Sequence, residues 1–372
     1  MLHSVGARGP PIPKPAATHV LPSSGNQESR VDVVITVLNE AHISSRPARS
    51  LSPSASLPEL PSKSRQSRMA SLFVTGARGL VGRALLRGLP GGAFNPVTCL
   101  TRDRESLTRT IPPRSGWRYI EGDLDDTASW VHALPGHEVV LHLAAATGNA
   151  SEARFRAVNV EGTRRLVEES RCAGLRRFIL VSSIAARFRN RASYHYAESK
   201  IEAEALVRSS GLDYAIVRPT MIFGPGSPVL EGLARLAGAP LGVVFGSGQV
   251  KVQPIAVQDV ARVLIATAQR HSLDATEFEV GGPEVLPIEE LIVRIRTIVK
   301  GRSGRRVHVP IEPLRAFLAV LQRLAGPAFP LTAGQLASFA NEGTAAPHPW
   351  VEPLIPQMQS IDAMLRESLR GG

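Results

Sequence analysis

The chain has 372 residues, 43% hydrophobic and 20% charged, a composition typical of a globular protein with one large α/β domain or two domains. Two cysteines, Cys99 and Cys172, exclude a disulfide framework and a cysteine-rich metal site, so we expect a reducing compartment, the cytoplasm. The formal charge of +11 comes from scattered arginines, and no apolar run could cross a bilayer; we therefore expect neither a nucleic-acid partner nor a transmembrane segment.

Residues 1–68 differ in composition from the rest of the chain. They contain nine Pro and thirteen Ser, with eight basic and four acidic side chains. Such a segment buries too little apolar surface to offset its ordering entropy, so we expect a disordered extension. A start assigned too early, a regulatory tail and an organelle transit peptide are the alternatives. We favour translation from Met69, immediately before the first strand.

The first chemical motif is the stretch FVTGARGLVGRALL at 73–86, in which Gly76, Gly79 and Gly82 recur every three residues. It lies between an apolar strand and a helical pattern. Backbone N–H groups at a helix N-terminus attract phosphate, and glycine allows a pyrophosphate to approach the backbone closely. We therefore predict a dinucleotide-binding loop whose cofactor contacts include Leu80 and Val81.

Strand and helix patterns alternate after this loop. Apolar runs predict strands at SLFVT, PVTCLTR, WRYIEGD, EVVLHLAAA, RRFILVSS and DYAIVRP, with helices between them, including about 152–173 and 194–209. Short apolar strands separated by helices indicate βαβ units and a parallel sheet buried on both faces. Ligands bind such sheets beyond the carboxyl ends of the strands.

The residues after the second and third strands bear on which dinucleotide binds. Arg102 follows the second strand and Arg78 lies in the glycine loop, which favours a 2′-phosphate and hence NADP. Asp103 keeps NAD as the alternative. In GDL at 122–124, Asp123 is a candidate acceptor for the adenine amino group, with Leu124 beside it. Its alternative role is the N-cap of a helix DDTASWVHAL.

The candidate catalytic residues lie in YHYAESK, where Tyr196 and Lys200 are four apart on one face of a helix. A phenol is a poor base near neutral pH, and we expect the Lys200 ammonium to lower the pKa of Tyr196 and to contact the nicotinamide ribose. Ser183, at the end of the fifth strand, is the candidate donor to a substrate carbonyl. We expect Ser182 to bond backbone instead.

In their order, TGARGLVG, GDL, LHLAAATG, VNVEGT, VSSIAA, YAESK, VRPTMIFGPG and IAVQDVARVL resemble the short-chain dehydrogenase/reductase superfamily, in its extended or atypical NAD(P)-dependent epimerase/dehydratase branch. The resemblance implies a Rossmann-type doubly wound parallel sheet with a smaller, mostly helical C-terminal substrate region. It implies Ser183, Tyr196 and Lys200 as the catalytic set, with the cofactor lined by Ala144, Ala145, Pro219 and Thr220.

Two departures from sugar-nucleotide epimerases narrow the resemblance. The chain has IAARF after the serine strand where they usually carry Val-Tyr-Gly, and only 13 residues separate Ser183 from Tyr196. The chain is more similar to the branch that includes the NADPH-binding accessory subunit of respiratory complex I. FPLTAGQLASFANEGTA at 329–345 and IDAMLRESL resemble that branch with less specificity.

We expect a cofactor-binding core at 69–220 and a substrate region at 221–372, with about 250–285 returning to the core. Asp259 is expected to orient a helix. The apolar positions of 313–325 indicate a core-facing lid helix or, alternatively, contact with a membrane surface or partner subunit. Two functions remain: an oxidoreductase or epimerase acting on a small molecule, and a non-catalytic NADPH-binding scaffold. No metal is expected, and the family often forms homodimers.

Overall fold

A computed structural model describes residues 70–270, 272, 277–325 and 336–370, without the side chains of 319–325 and 370. The expected extension at 1–68 and the start at Met69 lie outside the described residues. The strands are β1 Ala70–Thr75, β2 Phe94–Thr101, β3 Trp117–Glu121, β4 Val139–His142, β5 Arg177–Val181, β6 Asp213–Pro219, β7 Ile222–Phe223, β8 Gly242–Phe245, β9 Lys251–Val252, β10 Ile255–Ala256, β11 Glu277–Val280, β12 Leu286–Pro287 and β13 Arg306–Val309.

Helices connect these strands, and one of them contains a wider turn. A π-helical stretch, Arg156–Glu161, joins α3 to α4. The helices are α1 Leu80–Gly88, α2 Arg104–Thr110, α3 Glu152–Phe155, α4 Gly162–Cys172, α5 His195–Arg208, α6 Pro228–Gly238, α7 Val257–Gln269, α8 Ile288–Lys300, α9 Ile311–Ala325, α10 Ala337–Ala340 and α11 Ile361–Arg370.

Seven strands form one parallel sheet in the order β11-β6-β5-β4-β1-β2-β3. Successive residues of a strand point to opposite faces, and the sequence follows this period. In β1, Leu72 and Val74 join the apolar cluster on one face, whereas Phe73 joins the cluster on the other. Both faces are therefore buried, as the apolar runs predicted, and the Rossmann-type fold is confirmed.

The C-terminal half contributes both to this sheet and to a second core. Helix α7 packs against α1, and β11 extends the sheet beside β6. Asp259 is buried in the first turn of α7, where its carboxylate accepts hydrogen bonds from Arg262 and from the backbone N–H of Gln359. Helices α6, α8 and α11 enclose a separate apolar cluster with the short strands. Helix α9 covers 313–325, with Leu318 buried and Phe317 exposed.

One predicted helix is wrong. DDTASWVHAL forms two short 3₁₀ turns, Thr127–Ser129 and Val131–Ala133, rather than an α-helix. The fully buried Trp130 lies between them and donates its indole N–H to the carbonyl of Asp123 at 3.0 Å. Burial of this one large ring fixes the segment in a conformation that helical periodicity does not describe.

Candidate active site

A groove of about 540 Å³ runs along the carboxyl ends of β1, β2, β3 and β4. This is the edge at which parallel α/β sheets bind ligands. Thr75, Thr147, Arg154 and Val158 also line it, although the sequence analysis did not select them. The predicted cofactor residues that line the groove are Gly76, Arg78, Gly79, Arg102, Asp123, Leu124, Ala144 and Ala145.

The three glycines of the loop differ in whether the backbone structure requires a glycine at their position. Gly76 has φ +71°, and a Cβ there would lie 2.5 Å from the backbone nitrogen of Ala144. A Cβ on Gly82 would lie 2.4 Å from the carbonyl oxygen of Gly76, because α1 starts tightly against the loop. Gly79 is exposed, and a Cβ there would meet only the Gly76 oxygen, at 3.2 Å. Folding therefore requires glycine at 76 and 82 but not at 79.

The first turn of α1, with Leu80, Val81 and Gly82, faces this loop. No side chain caps the helix, and its N-terminal N–H groups have no partner within a helix. Such donors, together with the helix dipole, form an anion site, and Gly79 leaves the approach to them open. The loop and helix thus suit a phosphate group of a dinucleotide.

The acidic residues near the groove already have partners. Arg78 donates to Oδ2 of Asp103 at 2.5 Å, and the Oδ1 of Asp103 accepts the Ser106 N–H at 2.9 Å as the N-cap of α2. Arg102 lies 3.8 Å from Asp123. The Asp123 carboxylate accepts its neighbour's N–H, from Leu124 at 2.7 Å, so the alternative of an α-helix N-cap is wrong.

Tyr196 and Lys200 lie on α5, which packs against the end of β5. The Ser183 hydroxyl lies beside the Tyr196 phenol and acts to lower the pKa of the phenol. The expected lowering of the Tyr196 pKa is wrong for this arrangement: burial, reinforced by Tyr194, raises the pKa despite the Ser183 hydroxyl. Lys200 Nζ donates instead to the carbonyl of Val181 at 2.9 Å. Burial lowers the Lys200 pKa to about 8, although Glu204 acts in the opposite direction.

The hydrogen-bond partner predicted for Ser182 is also wrong. Ser182 was expected to bond backbone, but its Oγ donates to the carboxylate of Glu204 at 2.6 Å. Glu204 is 3% exposed and was not selected from the sequence, although its position four residues after Lys200 on the same helix face was visible. Ser183 Oγ accepts the Ala185 N–H at 3.2 Å and is the hydroxyl that reaches Tyr196.

Asn159, in the π-helical stretch, joins the groove to α5. Its side chain accepts from the Ala146 N–H at 2.7 Å and donates to the Ala146 carbonyl at 3.1 Å. It also donates to Ser199 Oγ at 2.9 Å, one residue before Lys200. Wider helical turns of this kind are frequent at functional sites. The VNVEGT motif contained this signal, although the sequence analysis assigned the residue no role.

Several predicted site residues lie outside the groove lining: Leu80, Val81, Ser183, Tyr196, Lys200, Pro219 and Thr220. Pro219 ends β6, and Thr220 donates its N–H to the Val280 carbonyl at 2.9 Å and its hydroxyl to the Gln253 carbonyl. His195, beside the candidate Tyr196, is half exposed and lies next to Glu152.

In the described part of the chain, no group of three His, Cys, Asp or Glu side chains is placed to hold a metal ion. None of the helices in the same residues has the length and apolar character needed to cross a membrane.

Comparison with known proteins adds to this geometry. The chain is 34% identical over 209 residues to ceramide reductase of Caulobacter vibrioides, covering 55% of this chain and 62% of that protein. It is 29% identical over 206 residues to the mitochondrial NADH-ubiquinone oxidoreductase 40 kDa subunit of Neurospora crassa, covering 55% and 53%. The chain thus spans less than two thirds of the length of either relative.

A solved structure shares the fold. UDP-glucuronic acid 4-epimerase from Bacillus cereus, in complex with UDP-glucuronic acid and NAD, has a TM-score of 0.62 at 17% identity, covering 81% of this chain and 98% of that chain. Residues 76–271, more than half of the chain, match the family model described as NAD(P)H-binding. The glycine loop, the sheet edge and these matches agree, and the chain belongs to the NAD(P)H-binding family.

Proposed function

We propose that the protein is an NADP-dependent oxidoreductase that transfers hydride at a hydroxyl or carbonyl carbon of a small organic substrate. An epimerase or dehydratase that uses the same groups transiently falls within this proposal. The observation that carries it is the placement of Tyr196 beside the Ser183 hydroxyl, with Lys200 one turn further along α5. This arrangement has the parts needed for general acid–base chemistry at an oxygen atom.

The groove fits a dinucleotide by its own chemistry. The uncapped N–H groups of Leu80 and Val81 would hold the pyrophosphate beside the open Gly79. Arg78 and Arg102 would contact a 2′-phosphate, because both line the groove. Asp103 pairs with Arg78 and caps α2, so a ribose hydroxyl would share its oxygens with these two donors. These contacts favour NADP over NAD.

The remaining cofactor contacts continue along the sheet edge. Ala144 and Ala145 line the groove beyond the phosphate loop. Pro219 and Thr220 follow β6 on the side of Ser183, where they would contact the nicotinamide. Asp123 and Leu124 lie at the end of β3, on the adenine side. The nicotinamide, when bound, supplies or accepts the hydride.

The protein's own groups handle the proton. Tyr196 is protonated at neutral pH because burial raises its pKa, so it can donate a proton to a substrate carbonyl oxygen as hydride arrives. Ser183 donates a second hydrogen bond that polarises the same oxygen. The Lys200 ammonium would stabilise the phenolate that proton transfer leaves behind, and on cofactor binding it would contact the nicotinamide ribose.

Two observations, one from the sequence and one from a relative, support a proposal for the class of substrate. Only 13 residues separate Ser183 from Tyr196, which leaves little room for a loop that grips a nucleotide sugar. The similarity to a protein named ceramide reductase favours a carbonyl or alcohol on a lipid-like molecule. We place the reaction in the cytoplasm and propose a homodimer through α4 and α5. Residues 313–325 would form a core-facing lid, with Leu318 packed against Phe245; Phe317, exposed among their described side chains, is the candidate contact with a membrane surface or partner.

The second candidate function is a cofactor-binding scaffold without turnover. The similarity to the 40 kDa subunit of NADH-ubiquinone oxidoreductase favours it. A scaffold binds NADPH in the same groove but makes no use of the Tyr196 proton. Retention of Tyr196 and Lys200 together favours the enzyme, because cofactor binding alone does not require the phenol.

The two functions are separated by a substrate panel that includes ceramides and nucleotide sugars. Carbonyl substrates are assayed with NADPH and alcohol substrates with NADP⁺, each beside a control without cofactor. For any substrate turned over, we expect Tyr196→Phe to lower kcat by about 10² to 10⁴ while cofactor affinity stays near native. Tyr214→Phe is the matched control, since it removes a phenol at the start of β6, at the opposite end of the sheet from Ser183. Activity that survives Tyr196→Phe would refute the mechanism, and NADPH binding without any turnover would support the scaffold.

A further inference from the structure

Glu204 makes an unusually complete set of hydrogen bonds for a carboxylate that is 3% exposed. Its Oε1 accepts from Ser182 Oγ at 2.6 Å and from Arg218 Nε at 2.7 Å. Its Oε2 accepts from Arg218 Nη2 at 2.7 Å and from Arg208 Nη2 at 2.8 Å. Burial alone would raise the pKa of Glu204, but the bonds from Arg218, Ser182 and Arg208 outweigh it and lower the pKa. The carboxylate is therefore ionised at neutral pH.

Two arginines and two glutamates form a charge-balanced cluster. Arg218 also bonds Glu277 at 2.6 Å, and Arg208 bonds Glu277 at 2.5 Å. The four side chains carry no net charge and join α5 to β6 and β11. A neutral, hydrogen-bonded cluster is the form in which buried charges are tolerated. Glu204 is the member that also reaches the end of β5, through Ser182.

Helix α5 contacts the end of β5 through three side chains spaced four residues apart. Each of them holds one of three consecutive residues, 181–183, and residues at this spacing share one helix face. The three bonds join Tyr196 to the Ser183 hydroxyl, Lys200 to the Val181 carbonyl at 2.9 Å, and Glu204 to the Ser182 hydroxyl at 2.6 Å.

The charge of Glu204 also acts on Lys200. Burial lowers the Lys200 pKa to about 8, and the Glu204 carboxylate one turn away raises it against that effect. From β4, His142 faces the same ammonium but is neutral, because burial and Lys200 lower its pKa to about 3. Tyr196 lies one turn before Lys200 and is a neutral phenol, while the Arg218 cation on β6 is bonded to Glu204. Glu204 is thus the anion that favours a charged Lys200.

We propose that Glu204 is a positioning residue of the hydride-transfer site. Through Ser182 it fixes the end of β5 so that Ser183 meets Tyr196, and it places a negative charge one helical turn from Lys200. The inference rests on the proposed function for the chemistry of these groups. The bonds and charges that define the role of Glu204 are independent of any turnover.

The charge effect can be measured without a substrate. The chain has five lysines, so a ¹³C-labelled lysine NMR titration gives few signals, and Lys200→Arg identifies the one from Lys200. We expect a pKa near 8 in the native protein and a value lower by about one pH unit in Glu204→Gln. Glu204→Asp keeps the negative charge but moves it away from Lys200, because the aspartate side chain is one methylene shorter. We therefore expect a smaller decrease in the Lys200 pKa.

Arg208→Gln is the structural control for this titration. It breaks the outer edge of the same cluster but leaves the bonds of Glu204 to Ser182 and Arg218. Because Arg208→Gln removes a cation, we expect it to leave the Lys200 pKa unchanged or to raise it. If the variants acted only by loosening the packing around the cluster, the Lys200 pKa would instead shift in the same direction in all of them. If Glu204→Gln does not fold, Glu204→Asp carries the test. A Lys200 pKa that does not fall in the folded Glu204 variants would overturn the proposal.

The positioning effect is measured as kcat once a substrate is known. Ser182→Ala keeps every charge and removes only the hydroxyl, so we expect kcat to fall about tenfold with KM and the Lys200 pKa unchanged. Unchanged kcat in Ser182→Ala would refute positioning through Ser182. Absence of turnover in the native protein would refute the proposed function instead, and the lysine titration would still decide the role of the Glu204 charge.

Discussion

Gly79 offers the sharpest test of the phosphate loop, because a Cβ there would make one tight contact of 3.2 Å with the Gly76 oxygen, against clashes under 3.0 Å at Gly76 and Gly82. Gly79 has φ −66° and ψ 170°, an extended conformation that valine adopts readily, and a Cβ would meet only the Gly76 oxygen at 3.2 Å. Replacing glycine at a helix N-cap changes stability by less than about 1 kcal/mol. Gly79→Val should therefore fold with a nearly native unfolding temperature.

Cofactor binding should respond very differently to the same change. The valine side chain would stand beside the first N–H groups of α1, where a phosphate must approach. Loss of two charge-assisted hydrogen bonds, each worth about 1.5–3 kcal/mol, lowers affinity by a factor of at least about 100. Calorimetric titration with NADPH measures this loss, and thermal unfolding of the same samples measures stability.

Gly82→Ala is the matched contrast within the same loop. Alanine gains about 1 kcal/mol over glycine in a helix interior, but its Cβ would lie 2.4 Å from the Gly76 oxygen and 2.6 Å from the Ala77 oxygen. The backbone must move, at a cost of about 1–3 kcal/mol, so we expect a net loss of stability. Native affinity and native unfolding temperature in Gly79→Val would refute the phosphate-loop interpretation.

Two other predictions concern the nucleotide and the acid stability of the fold. We expect calorimetry to show that the native protein binds NADPH more tightly than NADH. Arg102→Ala should lower the affinity for NADPH by about 10- to 100-fold, whereas Arg104→Ala, at an exposed neighbouring position, should change that affinity little. Equal affinities for NADPH and NADH in the native protein would reverse the assignment of NADP. His142 has a pKa of about 3 when folded, below its value of about 6.5 when unfolded, so its contribution to stability is complete above pH 6.5 and is lost as the pH falls towards 3. Between pH 7 and pH 5 the free energy of unfolding should fall by about 2 kcal/mol because of His142. Urea unfolding at the two pH values should show a correspondingly smaller fall in His142→Gln than in the native protein. Equal falls in the two proteins would contradict the assignment to His142.

The sheet was predictable because both of its faces are buried. A strand covered on both sides reads as an uninterrupted apolar run, and Val139, Val140 and Leu141 in β4 are all fully buried. The glycine loop was predictable for a related reason: Gly76 has a positive φ and Gly82 touches backbone, so both constraints are local. Local backbone requirements leave a direct trace in the sequence.

Properties that depend on distant neighbours were not predictable in the same way. The pKa of Tyr196 is set by its burial, with the Phe155 ring 5.9 Å away and the Tyr194 ring 5.8 Å away, rather than by Lys200. The 3₁₀ turns around Trp130 depend on burial of its ring and on a bond to the Asp123 carbonyl. Helical spacing shows which residues share a face, but it does not show what that face meets.

The two serines at the end of β5 show how far the structure advances the assignment of the site. In the sequence they are adjacent hydroxyls of the same type, and either could serve a substrate. The structure commits Ser182 to the Glu204 carboxylate, which leaves Ser183 beside Tyr196. A hydroxyl that donates to a buried carboxylate has no proton left for a substrate oxygen, since each hydroxyl carries a single donor. The role of Ser183 stays a prediction, but its competitor is now occupied, so a rate loss in Ser183→Ala larger than that in Ser182→Ala is the expected order.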